Sequence, residues 1–196
     1  MLKQECCLRE YRISEQRLRK FRSLLSDNSG EDQMNFVTKI GPELLDTAVR
    51  LDQPQLVRMV LDLGVDVNAQ DSWGWTSLHV AVFRDKLSVI ELLSAAEAST
   101  TVQGKSGRIP LQYAMRNHSP YRREIIGALV AAGANLSLRD NEGKTALDIA
   151  FEERNQELAQ ILFDMWLAKN VGRLPSQVKP DNLSFDDMYT VYKNYR

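Results

Sequence analysis

The sequence predicts an all-α fold, a solenoid of about four helix–turn–helix units with loop or hairpin tips, flanked by an N-terminal helix and a C-terminal helical tail. Three observations carry this. One eight-residue stretch recurs four times: GPELLDTA from Gly41, GWTSLHVA from Gly74, GRIPLQYA from Gly107 and GKTALDIA from Gly143, in steps of 33, 33 and 36 residues. Gly, Leu and Ala keep their places in every copy. The stretches after the first three copies, LVRMVLDLGVDVNAQD, VIELLSAAEASTTVQG and IIGALVAAGANLSLRD, also repeat and read as a second apolar-faced helix and a loop.

Each unit opens its first helix near Pro, Thr or Ser, turns, forms the second helix and ends in a loop. Gly64 and Gly133 follow the second helix, where a left-handed residue ends it. A single helix pair of this length cannot bury its apolar face, so neighbours must stack. Leu45, Leu78, Leu111 and Leu147 form one predicted core column, and Ala48, Ala81, Ala114 and Ala150 a second, small enough for helices to approach closely. The three residues added in the third unit fall in RNHSPYRRE, Arg116 to Glu124, and lengthen the turn between its helices, with Ser119-Pro120 marking the helix start.

On these residues the chain resembles the ankyrin-repeat family, whose signature is T-P-L-H-x-A on a period near 33. TSLHVA (Thr76 to Ala81) and IPLQYA (Ile109 to Ala114) are close matches, and GVDVNAQD and GANLSLRD resemble the linking segment. The resemblance covers about residues 38–170. Departures are Glu97 in place of the helix-ending Gly, STTVQ in place of the usual link, and Asp46, Gln112 and Asp148 where the signature has His. In this family the His ties a helix start to its own turn, so the resemblance implies a framework role for His79, with Thr76 as its partner. The reading divides the chain into 1–37, an N-terminal amphipathic helix and linker; 38–170, four repeats at about 38–70, 71–103, 104–139 and 140–170; and 171–196, a Pro-containing linker and C-terminal amphipathic helix.

The 196 residues are 43% hydrophobic and 26% charged, the balance of a globular chain with a sizeable core. A net charge of −1 argues against nucleic acid as a partner, since phosphate binding needs a basic excess. No run of 18 apolar residues exists to span a bilayer, and the first residues lack a secretory apolar core. The two cysteines, Cys6 and Cys7, are adjacent, too close for an unstrained disulfide; they read as free thiols, with S-acylation as the alternative. No nucleophile–base pair, Gly-rich phosphate loop or metal-ligand cluster is legible, so no catalytic residue, cofactor or metal is assigned. His118 has no support as a ligand.

What remains is a binding surface. By resemblance, contacts come from the loop tips and the exposed side of each first helix. The tips carry Ser72, Trp73 and Trp75, then Lys105, Ser106 and Arg108, then Asn141, Glu142 and Lys144; the first helices show Arg50 and Leu51, Phe83 and Arg84, Arg116 and Asn117, Glu152 and Glu153. Aromatics and Arg are enriched at interface hot spots, which selects Trp73, Trp75, Phe83, Arg84, Tyr113 and Arg116 as the candidate protein-binding residues. Trp75 also reads as packing on the neighbouring loop. The RNHSPYRRE insert reads either as a solvated basic turn or as a finger for an acidic partner. The tail SFDDMYTVYKNYR places Phe185, Met188, Tyr189 and Tyr192 at helical spacing, suited to cover Phe163 and Trp166 of ILFDMWL, to dock a partner or to carry a phosphotyrosine.

The expected function is therefore a non-enzymatic protein–protein interaction module, an adaptor or inhibitor working through the concave face and loop tips. It is expected as a cytoplasmic monomer, with RLRKFR (Arg17 to Arg22) offering nuclear import, and its partner is another protein rather than a small-molecule substrate. The alternative is a membrane- or cytoskeleton-tethered targeting factor anchored through the N-terminal helix and Cys6-Cys7.

Overall fold

The structure, a computed structural model, describes residues 37–170 and 183–196. The N-terminal helix expected before residue 28, Cys6, Cys7 and the Pro-containing linker lie outside the described residues. Among the described residues there is no strand. The named helices are α1 (Gly41–Arg50), α2 (Pro54–Asp62), α3 (Ser77–Phe83), α4 (Leu87–Ala95), α5 (Pro110–Arg116), α6 (Arg122–Ala131), α7 (Ala146–Glu152), α8 (Gln156–Asn170) and α9 (Phe185–Tyr195). Contacts divide the chain into two compact units with the boundary after Ser99. In the first, α1 packs on α2 and α3, and α4 on α2 and α3; in the second, α5 packs on α6 and α7, α8 on α7 and α9.

The repeated residues build the cores. Leu45, Leu78, Leu111 and Leu147 are buried, as are Ala48, Ala81, Ala114 and Ala150. Several first helices are only seven residues long, too short to hold without added constraints at their ends. At the C-terminal end, Asp52, Asp85 and Arg154 adopt positive φ of 54°, 57° and 51°. Each lets the next N–H reach back to the repeated Ala: Gln53 to Ala48 O at 3.0 Å, Lys86 to Ala81 O at 2.9 Å and Asn155 to Ala150 O at 3.2 Å. In the third repeat the insert replaces this closure. Asn117 is extended instead, Ser119 Oγ accepts the Tyr121 N–H at 3.1 Å, and α6 begins at Arg122, two residues after Pro120.

At the N-terminal end one side chain turns back on the preceding backbone. His79 Nδ1 accepts the Thr76 N–H at 3.1 Å and lies 3.0 Å from Thr76 Oγ1, with the imidazole fully buried. Accepting at Nδ1 leaves the ring proton on Nε2. Gln112 Oε1 does the same for Ile109 N–H at 2.9 Å, and its Nε2 donates to the carbonyls of Leu138 and Lys144 at 3.2 and 2.7 Å. Asp148 Oδ2 accepts from Thr145 N–H at 3.0 Å and from Thr145 Oγ1 at 2.9 Å. Asp46, in the first copy, pairs instead with Arg50 Nε at 2.6 Å.

The repeated Gly serves two ends. Gly107 sits at φ +71°, and a Cβ there would lie 2.2 Å from Asn141 Oδ1. Gly41, inside α1, would drive a Cβ to 2.5 Å from Val65. The Gly missing after the second repeat has left its conformation behind: Glu97 takes φ +57°, beside 79° for Gly64 and 85° for Gly133.

α9 closes the second unit. Ser184 caps it, accepting the Asp187 N–H at 3.2 Å and donating to Asp187 Oδ2 at 2.6 Å. Met188 and Tyr192 are buried. The Phe151 ring meets those of Phe185, Tyr189 and Tyr192 at 5.2, 5.1 and 5.9 Å, and Tyr192 meets Trp166 edge-on at 5.4 Å. The polar anchor is Asp148, 4% exposed. Lys193 Nζ lies 3.2 Å from its Oδ1, Arg196 pairs with the same oxygen, and the Tyr192 hydroxyl reaches Oδ2 at 3.3 Å and Thr145 Oγ1 at 2.6 Å. Burial pushes the Asp148 carboxyl up, but the Thr145 amide and hydroxyl and the Lys193 ammonium outweigh it and hold the group below the usual carboxylate range.

Three outcomes are expected. His79→Ala costs about 1–2 kcal/mol through lost hydrogen bonds and a cavity, and His79→Gln, which copies Gln112, costs less; urea titration of the three proteins checks the order. Glu97→Gly stabilises by roughly 0.5–1 kcal/mol by removing a side chain from the left-handed region, measured the same way. Because the Asp148 pKa is lowered on folding, its contribution is complete above the unfolded value near 3.9 and is lost as pH falls through the folded value. Hydrogen-exchange protection of α9, corrected for intrinsic rates, should therefore fall below about pH 4 in the wild type. In Asp148→Asn it should already be low at neutral pH.

Candidate protein-binding site

The tip of the second repeat is a tight turn built around one carboxylate. Asp71 N–H donates to Trp75 O at 2.8 Å and Gly74 N–H to Asp71 O at 2.9 Å, with Gly74 at φ 73°. Asp71 Oδ1 accepts the amides of both Trp73 and Trp75 at 2.8 Å. Gln70 Nε2 donates to Gly74 O at 2.7 Å. The backbone is thus fixed without help from the indoles. Asp140 repeats the device, its Oδ1 accepting from Glu142 and Lys144 N–H at 2.9 and 3.0 Å. Asp71 was missed as a positioning residue; the Asp-x-x-Gly spacing it shares with Asp140 was the available signal.

The clamp sends the two tryptophans to different places. Trp73 projects outward and is 68% exposed. Trp75 is half-buried along its own helix, stacked 6.2 Å from the His79 ring and 5.2 Å from Phe83. Trp75 thus packs on His79 and Phe83 of α3, a contact the sequence reading did not name. Phe83, at the end of α3, is 57% exposed. Arg84 follows as the C-cap and is half-buried; its Nε has no hydrogen-bond partner, and no ion pair reaches it among the described residues. Neighbouring cations are engaged: Arg50 with Asp46 and, at 3.9 Å, Asp71, and Lys86 with Asp52 at 2.9 Å.

Tyr113 and Arg116 belong to the second unit, which is described by itself. Tyr113 is half-buried with its hydroxyl 2.8 Å from Ser106 Oγ. Arg116 is exposed and lies 3.5 Å from Glu142. Glu142 also takes Arg108, and Lys144 at 3.2 Å; Lys144 reaches Glu152 at 2.8 Å and Arg108 reaches Asp140 at 3.2 Å. The Lys144 ammonium leads the effects that hold the Glu142 carboxyl below its ordinary range. The insert is neutralised likewise. Arg122 binds Met115 O and Glu153, and Arg123 pairs with Glu157. The reading of the insert as a finger for acidic partners loses its free arginines, because carboxylates 26 to 34 residues along the chain already hold them.

Among the described residues no cluster of three or more His, Cys, Asp or Glu could hold a metal ion, and no helix is long and apolar enough to cross a membrane.

The model of ankyrin repeats (3 copies) matches residues 45–140 and 78–172, well over half of the chain. An ankyrin repeat protein of fowlpox virus (strain NVSL) is 32% identical over 136 residues, 66% of this chain and 39% of the viral one. The Caenorhabditis elegans homologue of transient receptor potential cation channel subfamily A member 1 is 29% identical over 72% of this chain and 11% of its own length. Bovine NF-kappa-B inhibitor zeta is 26% identical over 64% of this chain and 22% of its own. The chain thus spans less than half the length of each. Proteins named as differently as a channel and an inhibitor share this stretch, so what is common is the repeat array rather than any one activity, and the family is typically protein-binding and non-enzymatic. With its period, its repeated caps and this match, the chain belongs to the ankyrin-repeat family, whose repeats are protein-interaction modules.

Proposed function

We propose that this chain is an adaptor or inhibitor that holds a second protein against an edge formed by Trp73, Trp75, Phe83 and Arg84. The observation that carries the reading is the exposure of Trp73 and Phe83, two large aromatic side chains in one repeat. The backbone clamp around Asp71 needs neither ring, so their apolar surface is available for a partner. A desolvated Trp anchor carries about 2 kcal/mol or more of binding. The inhibitor named among the relatives supports the inhibitory form of the reading.

The double change Trp73→Ala with Arg84→Ala should leave the helical circular dichroism spectrum intact and abolish partner capture. Trp73→Ala alone should weaken capture about 30-fold, the equivalent of ~2 kcal/mol. Quantitative affinity purification, comparing wild type with each folded variant, checks both. Undiminished capture by the folded double variant would move the contact away from this edge.

A further inference from the structure

The edge of the second repeat combines two surfaces that folding leaves unused. One is aromatic: Trp73 outward, and Phe83 exposed on the side away from Trp75. The other is a cation. Of the cations on this edge, Arg50 is held by Asp46 and Lys86 by Asp52. Arg84 has no such carboxylate among the described residues, and its Nε is buried without an acceptor. It directly follows Phe83 in the chain, so the cation and the exposed ring share the end of α3.

Half-buried and without a carboxylate partner among the described residues, the Arg84 side chain keeps its charge available to an anionic oxygen brought to its outer nitrogens. The planar fork of Arg matches a carboxylate with two parallel hydrogen bonds. Asp46, Asp52 and Asp71 are already engaged by Arg50 and Lys86. Resting on the docking edge proposed above, we infer that its occupant is an acidic peptide segment: large apolar side chains laid on Trp73 and Phe83, with an Asp or Glu carboxylate close by in sequence seated on Arg84.

The test is selection of a random peptide display library on the full chain, followed by synthesis of the enriched peptides. Enriched sequences should pair Leu, Phe or Trp with Asp or Glu within a few positions. Changing that acid to its amide should weaken binding about tenfold or more, a 1.4 kcal/mol change per tenfold. Arg84→Gln in the protein should produce the same loss, and combining the two should add little further. Arg84→Lys, which keeps the charge and loses the fork, should fall between wild type and Arg84→Gln, and it serves if Arg84→Gln fails to fold. Equal binding of the acid and amide peptides would overturn the inference, as would a selection that enriches neutral or basic sequences or nothing. If such peptides still depend on Trp73 and Phe83, the docking edge survives and only its acidic occupant is lost. Peptides that bind regardless of both aromatic residues would remove the edge itself.

Discussion

A seven-residue helix is held in place by a side-chain acceptor bent back onto the amide three residues before it. That bond recurs as His79 Nδ1 to Thr76, Gln112 Oε1 to Ile109 and Asp148 Oδ2 to Thr145. In these three repeats the Leu and Ala columns reach their places only if the first helix starts in register. Two of these groups also reach beyond their own turn: Gln112 takes in two carbonyls of the segment 138–144, and Asp148 the cations of α9.

The sequence made the framework legible because each feature is local or periodic. The 33-residue step, the buried Leu and Ala columns, the helix-ending Gly residues and the amphipathic spacing of Phe185, Met188 and Tyr192 each need only a few neighbouring letters. The exposure of Trp73 was legible for the same reason: a tryptophan in a turn has little to pack on. The fate of Trp75 was not, because it depends on the Asp71 clamp turning the chain along α3. The neutralisation of Arg108, Arg116, Arg122 and Arg123 was hidden too. Each finds its acid 26 to 34 residues away, where charge counting over a short window sees only a basic cluster.

Fixing the tips with Asp71 and Asp140 separates folding from recognition. The bonds that shape each turn run through backbone amides and one carboxylate, so the residue in the middle is under little structural constraint. It is Trp73 in one repeat and Glu142 in another, and the consequences differ. Trp73 stays on the surface, while Glu142 gathers Arg108, Arg116 and Lys144 into an internal network. Surface ion pairs of this kind contribute only about 0–1 kcal/mol each, but they occupy the cations. The two units therefore present unlike chemistry from like scaffolds: an aromatic edge beside the unpaired Arg84 in the first, a self-compensated polar edge in the second.

The clasp between Asp148 and α9 makes the repeats unequal as building blocks. Phe151 stands where Met115 and Val82 stand in earlier copies, and all three are buried. In the last copy, however, the ring is enclosed by Phe185, Tyr189 and Tyr192. Exchanging the fourth unit for a duplicate of the second would put His at 148 and Val at 151, leaving Lys193 and Arg196 without their carboxylate and Tyr192 without its ring partner. The closing helix is thus keyed to one unit. In a modular array whose inner parts tolerate shuffling, the fourth unit and α9 can be transplanted only together.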